Sequence, residues 1–253
     1  MKLQALLNRL DRLGQTIRSR RSLRALFHYR VLSGAEHRHV LSRNLKTVVD
    51  VGANRGQFSL AVRQWSPDAR VISFEPLSGP AAIFREVFSG DALVVLHQSA
   101  IGPASARQEM HVSARDDSSS LLPISAAQTG MFPGTGEVAI TEVRVGPLDE
   151  FISANELIAP AMLKIDVQGY EYEALSGCET LLRHFDQIYC ECSYLEFYSG
   201  QKLAGEVIDW LSARGFHLAG KHNTAYDHRG QAIQADFLFR RNEKQGSAEQ
   251  SGA

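Results

Sequence analysis

The stretch Val48–Phe58, VVDVGANRGQF, constrains the fold more than any other part of the chain. Thr47–Val51 is β-branched and apolar apart from Asp50, the composition of a short strand covered on both faces. Gly52 and Gly56 follow, where the backbone must turn sharply and where a ligand can approach without a Cβ in the way. A strand that feeds a glycine turn and then a helix presents backbone N–H groups at its carboxyl end. That is where open α/β sheets bind nucleotide-like ligands. Asp50, two residues before the first glycine, puts an acid at the edge of such a ligand.

The chain then alternates between strand and helix patterns. A helix is expected over Phe58–Trp65 and a second strand over Arg70–Phe74, ended by Glu75-Pro76. An acid at the tip of the second strand can accept hydrogen bonds from both ribose hydroxyls, and the proline fixes the turn beside it. Pro80–Phe88 reads as a helix with proline in its first turn. The third strand, Ala92–Leu96, runs towards Ser99 and Ala100, small enough to admit a nucleobase. Ala161–Glu171 carries Lys164 and Asp166 at alternate positions, so on one face near the end of a buried strand. Ionisable groups are costly to bury unless paired, so these two either satisfy one another or serve the crevice at the Gly52 turn. Glu171–Arg183 is expected to be helical, and Gln187–Glu191 a fifth strand that again ends on an acid. Phe216–Gly220 and Ala235–Arg240, with no helix between them, are expected to pair as an antiparallel hairpin.

One segment breaks the rhythm. Gln108–Ser113 and Glu137–Val145 read as strands, separated by a polar, glycine-rich stretch over 114–136 that is too long for a simple connector. Such stretches are functional loops or surface excursions, and this one is expected to be a mobile loop over the substrate mouth. Pro147–Ala154 reads as a short helix.

The 253 residues suffice for one good-sized α/β domain with an appendage, or two small domains. A net charge of -1 gives no bulk attraction to nucleic acid. Cys178, Cys190 and Cys192 have neither a disulfide framework nor zinc spacing, and read as buried thiols in a reducing, cytoplasmic compartment. No apolar run approaches the ~20 residues that span a bilayer, and the basic N-terminus lacks the continuous apolar core of a secretory signal. Residues 2–30 place Leu3, Leu6, Leu7, Leu10, Leu13 and Ile17 on one helical stripe surrounded by arginine. This is either a helix packed on the domain or on a second subunit, or a membrane-peripheral helix. The expected organisation is a helical extension over 1–46, a catalytic domain over 47–240, and a disordered polar tail over 241–253.

The turn does not match the dinucleotide pattern G-x-G-x-x-G, because Asn54 stands two residues after Gly52. Asp-x-Gly-x-Asn-x-Gly instead resembles motif I of the class I S-adenosylmethionine (SAM) methyltransferases. Together with Phe74-Glu75-Pro76, Ser118–Leu121, the block Leu163–Gly169 followed by Glu171, Ala174-Leu175-x-Gly177 and the segment Glu191–Tyr198, it resembles the FkbM-type methyltransferase family over residues 47–240. The resemblance implies a Rossmann-like α/β fold: a mostly parallel seven-stranded sheet closed by a C-terminal antiparallel hairpin, with helices on both faces. It also implies O-methyl transfer from SAM to a hydroxyl of a sugar, glycolipid or related natural product, with no nucleic-acid partner. Asp50, Gly52, Ala53, Asn54, Gly56, Phe58, Glu75, Pro76, Ser99 and Ala100 are then the expected cofactor contacts. Asp166 is the first choice for general base, with Glu191 second and Lys164 holding Asp166 ionised. A divalent cation such as Mg²⁺ on Asp166 and Glu191, with Asp116 or Asp117 added from the loop, is a further expectation. The competing readings are a SAM-fold protein that binds without catalysing and, more remotely, an NAD-dependent oxidoreductase.

Overall fold

The computed structural model describes Gly14 and residues 19–242. The leucine stripe of residues 3–17 and the tail from 243 onward lie outside the described residues. A seven-stranded sheet runs in the order β3-β2-β1-β7-β8-β10-β9. Its strands are β1 (Thr47–Val51), β2 (Arg70–Phe74), β3 (Val94–His97), β7 (Ala161–Ile165), β8 (Gln187–Ser193), β9 (Phe216–Tyr226) and β10 (Ala232–Arg241). Each neighbouring pair among β3, β2, β1, β7 and β8 is parallel, and β10 is antiparallel to both β8 and β9. A parallel sheet needs cover on both faces, and β1 and β7 are buried at every position. Adjacent residues go to opposite sides: Val49, Val51, Leu163 and Ile165 join one core, while Val48, Met162 and Tyr189 join a second with Phe58 and Val62.

The helices that flank the site are α1 (Arg20–Tyr29), α2 (Gln57–Trp65), α3 (Ser78–Val87), α4 (Ala126–Met131), α5 (Glu171–Gly177) and α6 (Ala204–Ser212). The described part of the basic N-terminal stretch packs on the domain. Ser19 caps α1 through Ser22 N, Ala25 is buried with Phe84, Val87 and Phe88, and Arg21 pairs with Asp91. Asp91, also gripped by Arg63 at 2.9 Å, ties α1 to α2.

Several expected boundaries shift. The third strand is Val94–His97 rather than Ala92–Leu96. The helix after Glu171 stops at Gly177 and continues as a 3-10 turn over Glu179–His184. Gly177 lies against Gly102, whose carbonyl oxygen would be 2.4 Å from an added Cβ. The expected helix over Pro147–Ala154 is a single 3-10 turn, Leu148–Glu150. Strands β5 (Ala106–Ser113) and β6 (Glu137–Gly146) pair antiparallel and, with β4 (Ala100–Ile101), make a separate three-stranded sheet.

The stretch over 114–136, expected as a mobile loop, carries local structure of its own. It holds a 3-10 turn at Asp116–Ser118 and helix α4, capped by Ser125. Ser119, Ser120 and Gln128 are buried. Ser120 bridges to His111 and Ile124 to Tyr198, while Phe132 packs edge-on against Phe197.

Candidate functional site

At the carboxyl end of β1 the chain enters the left-handed region at Gly52 (φ 78°), Asn54 (φ 46°) and Gly56 (φ 96°). The turn does not leave its N–H groups free, as its sequence led us to expect. Gly52 N and Ala53 N both donate to Phe74 O, at 3.0 and 2.9 Å. Asn54 N donates to Glu75 Oε2 (3.0 Å), Arg55 N to Asn54 Oδ1 (2.7 Å) and Gly56 N to Ala53 O (2.9 Å). These amides fasten the turn to the end of β2 and to itself. Glu75 is buried, and its other oxygen, Oε1, accepts from Leu77 N at 2.8 Å. Each carboxylate oxygen has two lone pairs, so one on each remains beyond these two bonds. Burial pushes the Glu75 carboxyl up to about 7, against the pull of the Leu77 and Asn54 amides.

The turn opens on a cleft of about 200 Å³. Gly52, Ala53, Asn54, Phe58, Glu75, Pro76, Ala100, Lys164 and Asp166 line it, so most of the expected contacts are brought together. Four are placed elsewhere. Asp50 is fully buried behind the turn, where Ser59 Oγ donates to its Oδ2 at 2.7 Å and Lys164 Nζ stands 3.3 Å from Oδ1. It anchors the turn instead of edging the cleft. Gly56 faces the rings of Phe84 and Phe88. Ser99 is buried and donates to Arg144 O at 3.0 Å, so its hydroxyl is turned to the smaller sheet. Glu191 lies behind Gln168, whose Nε2 donates to Glu191 Oε2 (3.0 Å) and to Asp166 Oδ1 (2.8 Å). Burial first, then the charges of Asp166 and Asp236, raise the Glu191 carboxyl well above its ordinary value.

Lys164 is the hub of this end of the sheet. Its ammonium lies 3.2 Å from Gly52 O, 3.3 Å from Asp50 and 3.5 Å from Asp166 Oδ2, with the Phe58 ring 5.6 Å away. Burial opposes its charge, but Asp166 and Asp50 more than offset this and raise its pKa above the ordinary lysine value. Register explains the grouping: Asp50 pairs with Lys164 across β1 and β7, and Lys164 with Tyr189 across β7 and β8. The three side chains therefore share one face.

The cation expectation does not fit the donors. The Gln168 amide stands between Asp166 and Glu191 and directs its N–H groups at one oxygen of each, where an ion shared by the two carboxylates would have to sit. Among the described residues no group of three or more His, Cys, Asp or Glu side chains is arranged to hold a metal.

Sequence reasoning passed over Glu36, His37, Gln168 and Tyr170, all on the cleft lining, where Asp117, expected only as a loop ligand for a cation, also stands. Gln168 and Tyr170 were visible inside the Leu163–Glu171 block. Glu36 and His37 belong to a 3-10 turn, Ala35–His39, in a stretch with no period to mark it. Asp116 also lines the cleft and is held by Arg55, with Nε and Nη2 2.8 and 2.5 Å from Oδ2, which joins the 114–136 segment to the glycine turn.

A family model described as the methyltransferase FkbM domain matches residues 50–218. The chain is 27% identical over 189 residues to the 2-O-methyltransferase NoeI of Sinorhizobium fredii (strain NBRC 101917 / NGR234), covering 69% of this chain and 76% of that protein. Among solved structures, Streptococcus pneumoniae Sp1610 in complex with S-adenosyl-L-methionine is 11% identical, with a TM-score of 0.46, and the match covers 90% of this chain and 75% of that one. Precorrin-6y C5,15-methyltransferase from Geobacter metallireducens GS-15 is 10% identical, with a TM-score of 0.45, over 83% and 86% of the two chains. With the family model spanning the glycine turn, the Leu163–Glu171 block and the strand that carries Glu191, the chain belongs to the FkbM methyltransferase family and is a SAM-dependent methyltransferase.

Proposed function

We propose that the chain transfers a methyl group from SAM to a hydroxyl of a sugar, glycolipid or related natural product, with residues 47–240 as the catalytic unit. The observation that carries the reading is that Asp166 lies on the cleft lining beside Lys164, on the same lining as Glu75. The name of the relative, a 2-O-methyltransferase, supports oxygen as the accepting atom.

SAM fits the residues present. Glu75 retains one lone pair on each oxygen, matching the two hydroxyls of a ribose. Pro76 and Ala100 would flank the base, and Gly52, Asn54 and Lys164 would face the amino-acid end. When bound, SAM supplies a methyl group already activated by the sulfonium charge. The protein must then hold the acceptor oxygen close and in line and receive its proton. Asp166, fixed by Gln168 and Lys164, is placed to orient the acceptor hydroxyl or to take that proton.

Two results are expected. Asp166→Asn should lower kcat by about 10²–10⁴-fold while SAM affinity, measured calorimetrically, stays within about threefold of wild type, because one oxygen and its bond to Gln168 can be kept. Transfer of isotope-labelled methyl to a panel of glycosides and glycolipids reads kcat, and unchanged turnover in D166N would remove Asp166 from the chemistry.

The second concerns pH. Glu75 must be ionised to accept from both ribose hydroxyls as well as from the two amides, and its carboxyl lies at about 7 in the ligand-free protein. SAM affinity should therefore rise roughly tenfold per unit from pH 5 to about 7 and level off above. Glu75→Gln should flatten this profile and weaken binding at pH 8 by about 10–100-fold, the loss of a charge-assisted hydrogen bond or two. The same titration works against folding: a carboxyl raised from 4.5 to about 7 stabilises the ligand-free fold fully below pH 4.5 and loses that contribution as pH rises through 7. A flat SAM-binding profile in the wild type would remove Glu75 from the site. Calorimetry that finds SAM bound while no panel member is methylated would favour binding without catalysis.

A further inference from the structure

Charge is divided unevenly along the chain. Residues 1–30 carry eight Lys and Arg against a single acid, Asp11, a net of +7. The whole chain has 27 basic and 28 acidic side chains, so the other 223 residues hold 19 against 27, a net of −8. A chain split in this way is drawn to an anionic surface by one end only.

Helix α1 gives the described part of that end two distinct faces. Inward, Ser22 and Ala25 are buried, Ala25 and Val31 share a core with Ala53, Leu60 and Phe84, and Arg21 pairs with Asp91. Outward, Arg20, Arg24, Phe27 and His28 are exposed. Their spacing of four, three and one residues sets them on one row of the helix. Phe27 is 76% exposed, the most of any large hydrophobic side chain among the described residues. The helix contains no acid. The sequence upstream repeats the combination of arginine with large apolar residues, interleaving Leu10, Leu13 and Ile17 with Arg9, Arg12 and Arg18.

The outer row adjoins the site. Ala53, in the core shared with the inner face of α1, lines the cleft. So does Gln57, whose carbonyl accepts from Gly34 N at 2.9 Å just past the helix. The row therefore stands about one helix diameter, ~10 Å, from the core beneath the glycine turn.

We propose that the outer row of α1 is a membrane-docking surface, that its partner is a bilayer rich in anionic lipid headgroups, and that it holds the cleft at that surface. Arg20 and Arg24 meet headgroup phosphates, and the Phe27 ring enters the boundary with the acyl chains. The acidic remainder of the chain is repelled by the same surface, so the charge split also orients the molecule. A second copy of the chain fits the row less well, because a stable protein interface takes about 20–30 residues a side. Duplex nucleic acid would use the arginines and leave Phe27 in water. No helix among the described residues is long and apolar enough to cross a membrane, so α1 attaches to one face of the bilayer. Of the acceptors named above, docking favours those linked to lipid; that step alone rests on the hydroxyl-acceptor reading.

The test is co-sedimentation of the full chain with sucrose-loaded vesicles, either pure phosphatidylcholine or containing about a third phosphatidylglycerol, at about 0.1 M and about 0.5 M salt. The wild type should bind the anionic vesicles at low salt, and at least about tenfold more weakly at high salt or on neutral vesicles. Arg20→Ser combined with Arg24→Ser should weaken binding about tenfold or more, and Phe27→Ser about tenfold. All three side chains are exposed and off the cleft lining, so melting temperature and SAM affinity should match wild type in both variants. Wild-type vesicle affinity in either variant overturns the proposal, as does wild-type protein that ignores vesicles or binds both kinds equally. A wild-type dimer in sedimentation equilibrium that Phe27→Ser dissociates overturns it in favour of a second copy. Tighter binding to duplex DNA than to anionic vesicles overturns it in favour of nucleic acid. The wild-type comparison of vesicles does not depend on the folding of any variant. Labelled methyl transfer to glycolipid carried in anionic vesicles should fall in Phe27→Ser while transfer to a soluble methyl glycoside is unchanged; unchanged transfer to both would overturn the role in holding the cleft at the lipid surface. If the wild type methylates neither, it is the hydroxyl-acceptor reading that fails, and vesicle binding still decides the docking surface.

Discussion

Lys164→Met is expected to destabilise the folded chain by about 3–5 kcal/mol, the cost of leaving a buried carboxylate without its counter-charge. Lys164 is 5% exposed and Asp50 is not exposed at all. Methionine fills the volume of the lysine stem, so packing is nearly kept and the loss is electrostatic. Asp50 would keep the Ser59 hydroxyl but lose the ammonium 3.3 Å away. The sign is unambiguous because the ion pair was itself costly to bury: breaking one side hurts more than removing both. Lys164→Met combined with Asp50→Asn should therefore recover a large part of the loss, and a double-mutant cycle by urea unfolding measures the coupling. A Lys164→Met midpoint equal to wild type, or a double variant worse than the single, would contradict the ion-pair account. SAM binding should fall in the single variant for a second reason, since Gly52 O also loses its donor.

Gly52→Ala is expected to abolish measurable SAM binding and to lower the melting temperature by several degrees. Two penalties coincide. Gly52 has φ 78°, a conformation that costs an L-residue roughly 1–2 kcal/mol. The added Cβ would also lie 1.8 Å from the backbone oxygen of Asp166, which no rotamer change can relieve. The ends of β1 and β7 would have to separate, carrying Asp166 and Lys164 with them. Gly79→Ala is the control: Gly79 lies within α3, with nothing within 4 Å of a built Cβ. Alanine there should be neutral or stabilising by up to about 1 kcal/mol. Normal SAM affinity in Gly52→Ala would mean that the turn is looser than its hydrogen bonds suggest.

The fold was largely legible because its signals are local. β1, β2 and β7 are short, largely β-branched or apolar runs followed at once by Gly52, Glu75 and Asp166, and burial on both faces leaves such runs few alternatives. The hairpin was legible from two strand patterns without a helix between them. The elements within 114–136 were not legible because serine and glycine content marks polarity, whereas Ser120 is buried by backbone pairing with His111 of β5 and Ser119 accepts from Ser113 N, contacts that no local pattern encodes. Asp50 was misplaced for a related reason. Its spacing from the glycines suggested a ligand contact, but Lys164, 114 residues further on and opposite it in register, draws it inward. His37 was missed because residues it meets, Tyr189 and Asp236, come from strands some 150–200 residues away.

The amides of the glycine turn already have partners within the chain, and that shapes how this protein can change. A cradle of bare peptide groups offers the same hands whatever residues occupy it, and so resists retuning. With the peptide groups committed to one another, any contact that the cleft makes with a bound molecule falls chiefly to the side chains on its lining, Glu75 and Asp166 among them, each of which can be exchanged without touching the scaffold.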